Sequence, residues 1–190
     1  MRPFLLLLTA SLLPFWGYSQ TTVTKTFAPA TSVSVDGCGT FCNALAGVDF
    51  TAADFANGSA ITEVKVTIIW AKTGGTCSVP DTTASEHGET SFRLDGPAGQ
   101  EVILAQPGTW SGQATTDTVT TVFDQAALVQ PADTPVNGTF LPNNGDLGTL
   151  RCASPLGTWT LRAGDKGSGS PVSIGQYSVE ISAVAGLETS

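Results

Sequence analysis

The chain is 190 residues long and carries 16 acidic against 8 basic residues, which gives a formal net charge of −8 at pH 7. This length predicts one domain, at most one domain with a flexible arm. The acidic balance excludes nucleic acid and anionic lipid as partners, because binding to either requires clustered Lys and Arg.

Residues 1–19 are predicted to be a secretory signal peptide. A basic residue precedes an apolar run at residues 4–16, and small residues at 17 and 19 fit a signal-peptidase site, which makes Gln20 the first mature residue. The run is shorter than the roughly 20 apolar residues of a membrane span. The sequence therefore predicts a protein that is secreted, extracellular or at the cell surface, with no membrane insertion.

The mature chain is predicted to consist of strands separated by turns. Residues 20–49 form a Thr-rich N-terminal arm and a cysteine loop, and the arm is predicted to be either an edge strand or an ordered extension. Apolar residues then alternate with polar ones between Ile61 and Trp70, which is typical of a half-buried strand. Later segments continue this pattern at 90–95, 100–106, 118–124, 157–165 and 175–184, with a short extended piece at 138–141. No segment predicts an amphipathic helix, so we expect an all-β sandwich over residues 50–184 and a tail at 185–190.

The four cysteines are expected to form disulfides because the chain is predicted to be secreted. Four cysteines allow three pairings. We expect Cys38 to pair with Cys42 across a small loop and Cys77 to pair with Cys152 across the fold. A zinc site is disfavoured because "CGTFC" has no second matching knuckle.

Several segments together resemble the P domain, also called the Homo B domain, of subtilisin-like proprotein convertases. The resemblance runs from about residue 50 to 181 and includes "FRLDGPAG" and "GTWTLRAGD". The most specific positions match the family pattern G-x-W-x-L-x-x-x-D with a following Gly, namely Gly157, Trp159, Leu161, Asp165 and Gly169. The family often has a His after its first long strand, where this chain has "WAKTGG".

The resemblance implies a jelly-roll-like, galactose-binding-like β-sandwich of the kind that bacterial secreted proteins also carry. It places Asp165 in the turn before the last strand, where a carboxylate accepts backbone N–H bonds, so Asp165 is expected to be structural. Some similar modules bind calcium, which prefers oxygen ligands. Calcium is therefore the candidate cofactor, and the candidate ligands are aspartates beside turns: Asp95, Asp124, Asp146 and Asp165.

No catalytic activity is predicted from these residues. The single histidine, His87, lies in the polar segment "ASEHGET" and is interpreted as a solvated loop residue. No G-x-S-x-G elbow is present, and the cysteines are expected to be paired. P domains accompany subtilisin-type endopeptidases, but this chain supplies none of their catalytic residues.

The function expected is that of a secreted, non-catalytic accessory or binding module, associated with extracellular proteolysis or surface binding. A protein or a glycan is the expected partner, and Trp110 and Trp70 are the candidate ligand-face residues. The alternative is a self-assembling structural or adhesive surface protein that uses an edge strand or the N-terminal arm, since exposed strands pair with neighbours. A third hypothesis is a role in trans, assisting or inhibiting a separate protease.

Overall fold

The computed structural model describes residues 19–72, 74–76, 79–81, 87–111 and 118–186. The expected signal peptide lies outside these ranges except for its last residue. Cys77 and the end of the tail from residue 187 also lie outside them. No helix within the described ranges is long and apolar enough to cross a membrane.

The described residues form strands and two short 3₁₀ turns, which are His87–Glu89 and Leu147–Leu150. The strands are β1 (Gln20–Phe27), β2 (Val33–Val35), β3 (Gly39–Ala44), β4 (Val48–Phe50), β5 (Ala60–Lys72), β6 (Gly74–Thr76), β7 (Val79–Asp81), β8 (Thr90–Asp95), β9 (Glu101–Ala105), β10 (Val119–Asp124), β11 (Gly138–Phe140), β12 (Gly157–Asp165) and β13 (Val172–Val184). The prediction of an all-β sandwich is confirmed.

The strands build two main sheets. Sheet A has the order β1-β13-β5-β10-β11, with β2 also pairing with β13. Sheet B has the order β3-β12-β8-β9, with β4 pairing with the start of β12. Pairing is antiparallel in both sheets except between β10 and β11, which are parallel. Strands β6 and β7 form a small separate hairpin.

The core lies between the two sheets because alternate residues of each strand point inward. Strand β5 buries every second residue from Val64 to Trp70, and β12 buries Trp159, Leu161 and Ala163. Because β5 is central in sheet A and β12 is an inner strand of sheet B, the inward side chains of these two strands meet in the core although they are far apart in the sequence.

The Thr-rich arm is an edge strand of its own chain. Strand β1 pairs with β13 along its whole length, from Gln20 opposite Val184 to Phe27 opposite Tyr177. Two strands that were not predicted, β3 and β4, lie in the cysteine loop and pair with β12. Gly164 permits this approach, because a Cβ at that position would collide with the backbone of Phe41 and Gly39.

Candidate functional site: a buried lysine–aspartate cluster and an exposed apolar loop

A lysine and an aspartate meet inside the sandwich. Lys72 lies two residues after Trp70 on β5 and shares its inward face, and Asp165 continues the inward face of β12 after Ala163. Both side chains are 0% exposed, and Lys72 Nζ lies 2.7 Å from Asp165 Oδ1. Sequence reasoning missed Lys72, although the alternation along β5 was sufficient to assign it to the inward face.

A second carboxylate faces the same ammonium group. Glu89 ends the first 3₁₀ turn, and its Oε2 lies 3.5 Å from Lys72 Nζ. The Glu89 side chain is 27% exposed, so it reaches from the cluster towards solvent. We call Lys72, Glu89 and Asp165 the Lys72 cluster. Sequence reasoning also missed Glu89, because nothing in the segment "ASEHGET" indicates that Glu89 pairs with Lys72.

The Asp165 carboxyl group is poorly solvated by its surroundings. Burial raises the pKa of Asp165 above its usual range, and the hydrogen bond and charge of Lys72 oppose that rise. The negative charges of Glu89 and Asp36 raise the pKa further. Within the described part of the chain, Asp165 Oδ2 and the neighbouring Thr90 Oγ1 are buried without a hydrogen-bond partner.

The four candidate calcium ligands have separate local roles. Asp95 binds Arg93 and Arg162 through its two oxygens, at distances of 2.6–3.0 Å. Asp124 accepts a hydrogen bond from Ala126 N, and Asp146 accepts one from Gly148 N. Asp165 is bound to Lys72.

These positions are not clustered as a metal centre. Among residues 19–72, 74–76, 79–81, 87–111 and 118–186, no three His, Cys, Asp or Glu side chains are grouped so that they could hold a metal ion. A cleft of ≈ 280 Å³ is lined by Gln125 and Leu147, which follow Asp124 and Asp146 in the chain, and by residues that include Glu63 and Arg151. Calcium binding stays a prediction.

The two candidate ligand-face tryptophans are buried, which corrects the expectation that their indoles face a ligand. Trp70 is 0% exposed and Trp110 is 2% exposed, and their ring centroids lie 4.8 Å apart. Phe92 packs against both rings. Gly108 N donates a hydrogen bond to Gly88 O, which connects the loop carrying Trp110 to the first 3₁₀ turn.

His87 belongs to the same aromatic cluster, and its interpretation as a solvated residue is wrong. The His87 side chain is 2% exposed, and its ring lies edge-on to Trp70 with centroids 5.8 Å apart. The polar residues around it in the sequence indicated exposure, but the packing of the first 3₁₀ turn on the core decides its burial.

The cysteine predictions have two outcomes. Cys38 and Cys42 form a disulfide, as expected. Cys152 is exposed and forms no disulfide with a described residue. Its expected partner, Cys77, lies outside the described residues, so the second pairing stays a prediction.

The residues of the P-domain motif lie along strand β12, from its first residue to its last, and in the connection that follows it. Gly157 has a φ of +119°, and a Cβ there would lie 2.5 Å from Pro97 Cβ in the "GPAG" turn. The Trp159 side chain is 0% exposed and its Nε1 donates to Pro155 O. Leu161 is fully buried, and Gly169 has a φ of +95°. Gly157, Trp159, Leu161 and Gly169 therefore have structural roles.

The described part of the chain exposes three large apolar side chains, and all three lie in the connection between β10 and β11. Leu128 is 95% exposed, Val129 54% and Val136 46%. The connection is tied back to the fold because Leu141 N donates a hydrogen bond to Val129 O. We call these three residues the apolar loop patch.

The fold defines the class of this protein as a two-sheet β-sandwich. No protein-family model and no curated protein matches the chain. A similar solved structure is the Aeromonas sobria serine protease and chaperone complex, with a TM-score of 0.48 and 11% sequence identity, covering 88% of this chain and 28% of that chain. This chain thus spans less than a third of that chain, and a likeness of this degree carries no argument about activity.

Proposed function

We propose that the chain is a secreted, non-catalytic, P-domain-like module that binds a protein partner in extracellular proteolysis or at a surface. The observation that carries the proposal is the apolar loop patch, because exposed apolar side chains that are grouped in one connection rather than scattered singly mark protein interaction sites. With Trp70 and Trp110 buried, this patch is a better candidate for contact than an aromatic glycan platform.

The resemblance of this sequence to P domains, which act as accessory domains, also supports the proposal. In convertases these domains pack on a catalytic domain, and an aliphatic surface of Leu and Val suits such protein contacts. The three side chains lie in a connection between strands rather than in a strand, so they are available without any change in the sheets.

The test begins with identifying a partner and then perturbs the patch. The mature chain is incubated with the secreted fraction of its source, cross-linked, and the partner is identified and purified. Binding of that partner is then compared between the native chain and a variant with Leu128→Ser, Val129→Ser and Val136→Ser. Complete burial of a Leu or Val side chain is worth about 1.5–3 kcal/mol. Partial burial of the three side chains, at about 1 kcal/mol each, predicts roughly a 100-fold loss of affinity.

A matched control replaces exposed alanines outside the patch, Ala52→Ser together with Ala98→Ser, and should bind as the native chain does. A purified protease or surface protein that binds the native chain and the control but not the patch variant supports the proposal. Equal binding by all three proteins, or the recovery of no partner, contradicts it.

A second candidate function is self-assembly by exchange of β1. Strand β1 is an eight-residue edge strand of sheet A, and a connection containing Pro29 follows it. An edge strand of this length is able to pair with the same β13 surface of a neighbouring copy. Native size measurement distinguishes the candidates: polymers that vanish when residues 20–32 are removed support assembly, and a concentration-independent monomer excludes it.

A further inference from the structure

We propose that the Lys72 cluster forms an intramolecular isopeptide bond, in which Lys72 Nζ is joined to Asp165 Cγ and Glu89 acts as the proton-transfer group. The bond would link β5 of sheet A to β12 of sheet B. This inference concerns the interior of the sandwich and does not depend on the proposed function.

The geometry is that of two reacting groups held in contact. The Lys72 Nζ–Asp165 Oδ1 distance of 2.7 Å places the nitrogen in contact with the carboxyl group, one bond away from the carbon that it would attack. Both side chains are 0% exposed, so bulk water is excluded from the pair. Fixing two groups in this way corresponds to effective concentrations of about 10⁵–10⁸ M, which favours a condensation that dilute solution does not permit.

The reaction balances without any oxidant or cofactor. The Lys72 ammonium passes one proton to the Asp165 carboxylate along their hydrogen bond, which gives an amine and a carboxylic acid. The nitrogen lone pair attacks Cγ and the C–N bond forms. Glu89 accepts a proton from the nitrogen and returns it to the departing hydroxyl group, so the C–O bond breaks and one water leaves. The products are an amide and an unchanged Glu89 carboxylate.

The surroundings of Asp165 favour the protonated carboxylic acid that this reaction needs. A buried site of low dielectric disfavours isolated charge. Asp165 Oδ2 has no hydrogen-bond partner among the described residues, so the carboxylate is incompletely stabilised as an anion. The raised pKa of Asp165 agrees with this geometry, since burial favours the protonated acid.

Mass spectrometry of the mature chain tests the proposal directly. After reduction, the denatured native chain should be lighter than its sequence by one water. Trypsin should fail to cleave after Lys72 and should release residues 66–93 joined to residues 163–166, the peptide that contains Asp165. Cyclisation of an N-terminal Gln20 removes ammonia rather than water and alters only the first peptide.

The chain contains its own control pair. Lys65 Nζ lies 3.4 Å from Asp124 Oδ2, but the Lys65 side chain is 32% exposed, so this pair should remain unlinked and trypsin should cleave after Lys65. A Glu89→Gln variant retains the shape of the cluster without the base and should have the full mass with a linear 163–166 peptide. A native chain of full mass, with Lys72 cleaved and the 163–166 peptide linear, overturns the proposal. A Glu89→Gln chain that is linked as completely as the native one overturns the role of Glu89.

Discussion

Replacing Trp110 with alanine should destabilise the domain strongly, even though this residue lies in a glycine-containing connection after β9. The Trp110 side chain is 2% exposed, with ring centroids 4.8 Å from Trp70 and 6.0 Å from Phe92. A residue buried among aromatic rings contributes both its apolar area and its ring contacts. The expected effect is therefore that of a core truncation and not that of a loop substitution.

The magnitude follows from the area involved. A buried tryptophan removes about 150–250 Å² from water, and at about 25 cal/mol per Å² this corresponds to roughly 4–6 kcal/mol. Measured Trp→Ala truncations in cores cost about 3–5 kcal/mol, so we expect Trp110→Ala to lose about 4 kcal/mol. Domains are stable by about 5–15 kcal/mol, which means that the variant should fold but be marginal.

Urea unfolding followed by far-ultraviolet circular dichroism is the suitable assay, because tryptophan fluorescence changes with the substitution itself. With a denaturant dependence of about 2 kcal/mol per molar urea, the midpoint should fall by about 2 M. Leu128→Ala is the matched control, since Leu128 is 95% exposed and its truncation should cost less than about 0.5 kcal/mol. A Trp110→Ala midpoint equal to that of Leu128→Ala would refute the burial argument.

Two further predictions concern single side-chain environments. Burial raises the pKa of Tyr177 to about 12. The contribution of Tyr177 to stability is therefore complete below the unfolded pKa of about 10 and is lost as pH rises through the folded value. Unfolding midpoints measured across this pH range should show the loss in the native chain and not in Tyr177→Phe. Gly164→Ala should cost about 1–3 kcal/mol in thermal or urea unfolding, because its Cβ would collide with β3. Gly175→Ala is the control, since Ile69 O, at 3.7 Å, is the nearest atom to its Cβ, and a Gly175→Ala chain as unstable as Gly164→Ala would contradict this reasoning.

The long strands were predictable because their signal is local. The alternation between Ile61 and Trp70 corresponds to β5, and "GTWTLRAGD" corresponds to β12 at both ends. Strand β13 begins at Val172, three residues before the predicted start at residue 175. The prediction missed these residues because a register shift between Ile174 and Gln176 interrupts the alternation of apolar and polar residues. Strands β3 and β4 have little pattern of their own and depend on docking to β12.

The candidate site was less predictable because it depends on tertiary contacts. His87 and Trp110 lie in polar or glycine-containing segments, and only the packing of those segments on Trp70 buries them. The partnership of Lys72 with Asp165 joins residues 93 positions apart, on strands of opposite sheets. The inward face of each strand was readable from the sequence, but their relative placement was not.

The charges of the Lys72 cluster favour an isopeptide bond over an ion pair that only stabilises the fold. A buried ion pair is frequently replaceable by apolar residues at no loss of stability, so stability alone does not explain the pair. Glu89 adds a second carboxylate 3.5 Å from the single ammonium, which gives the ionised cluster an excess of negative charge. Condensation removes one charge of each sign from the fully buried positions. The charge that remains is that of Glu89, whose side chain is 27% exposed and reaches solvent. The cluster is therefore better suited to the linked state than to the ion pair that precedes it.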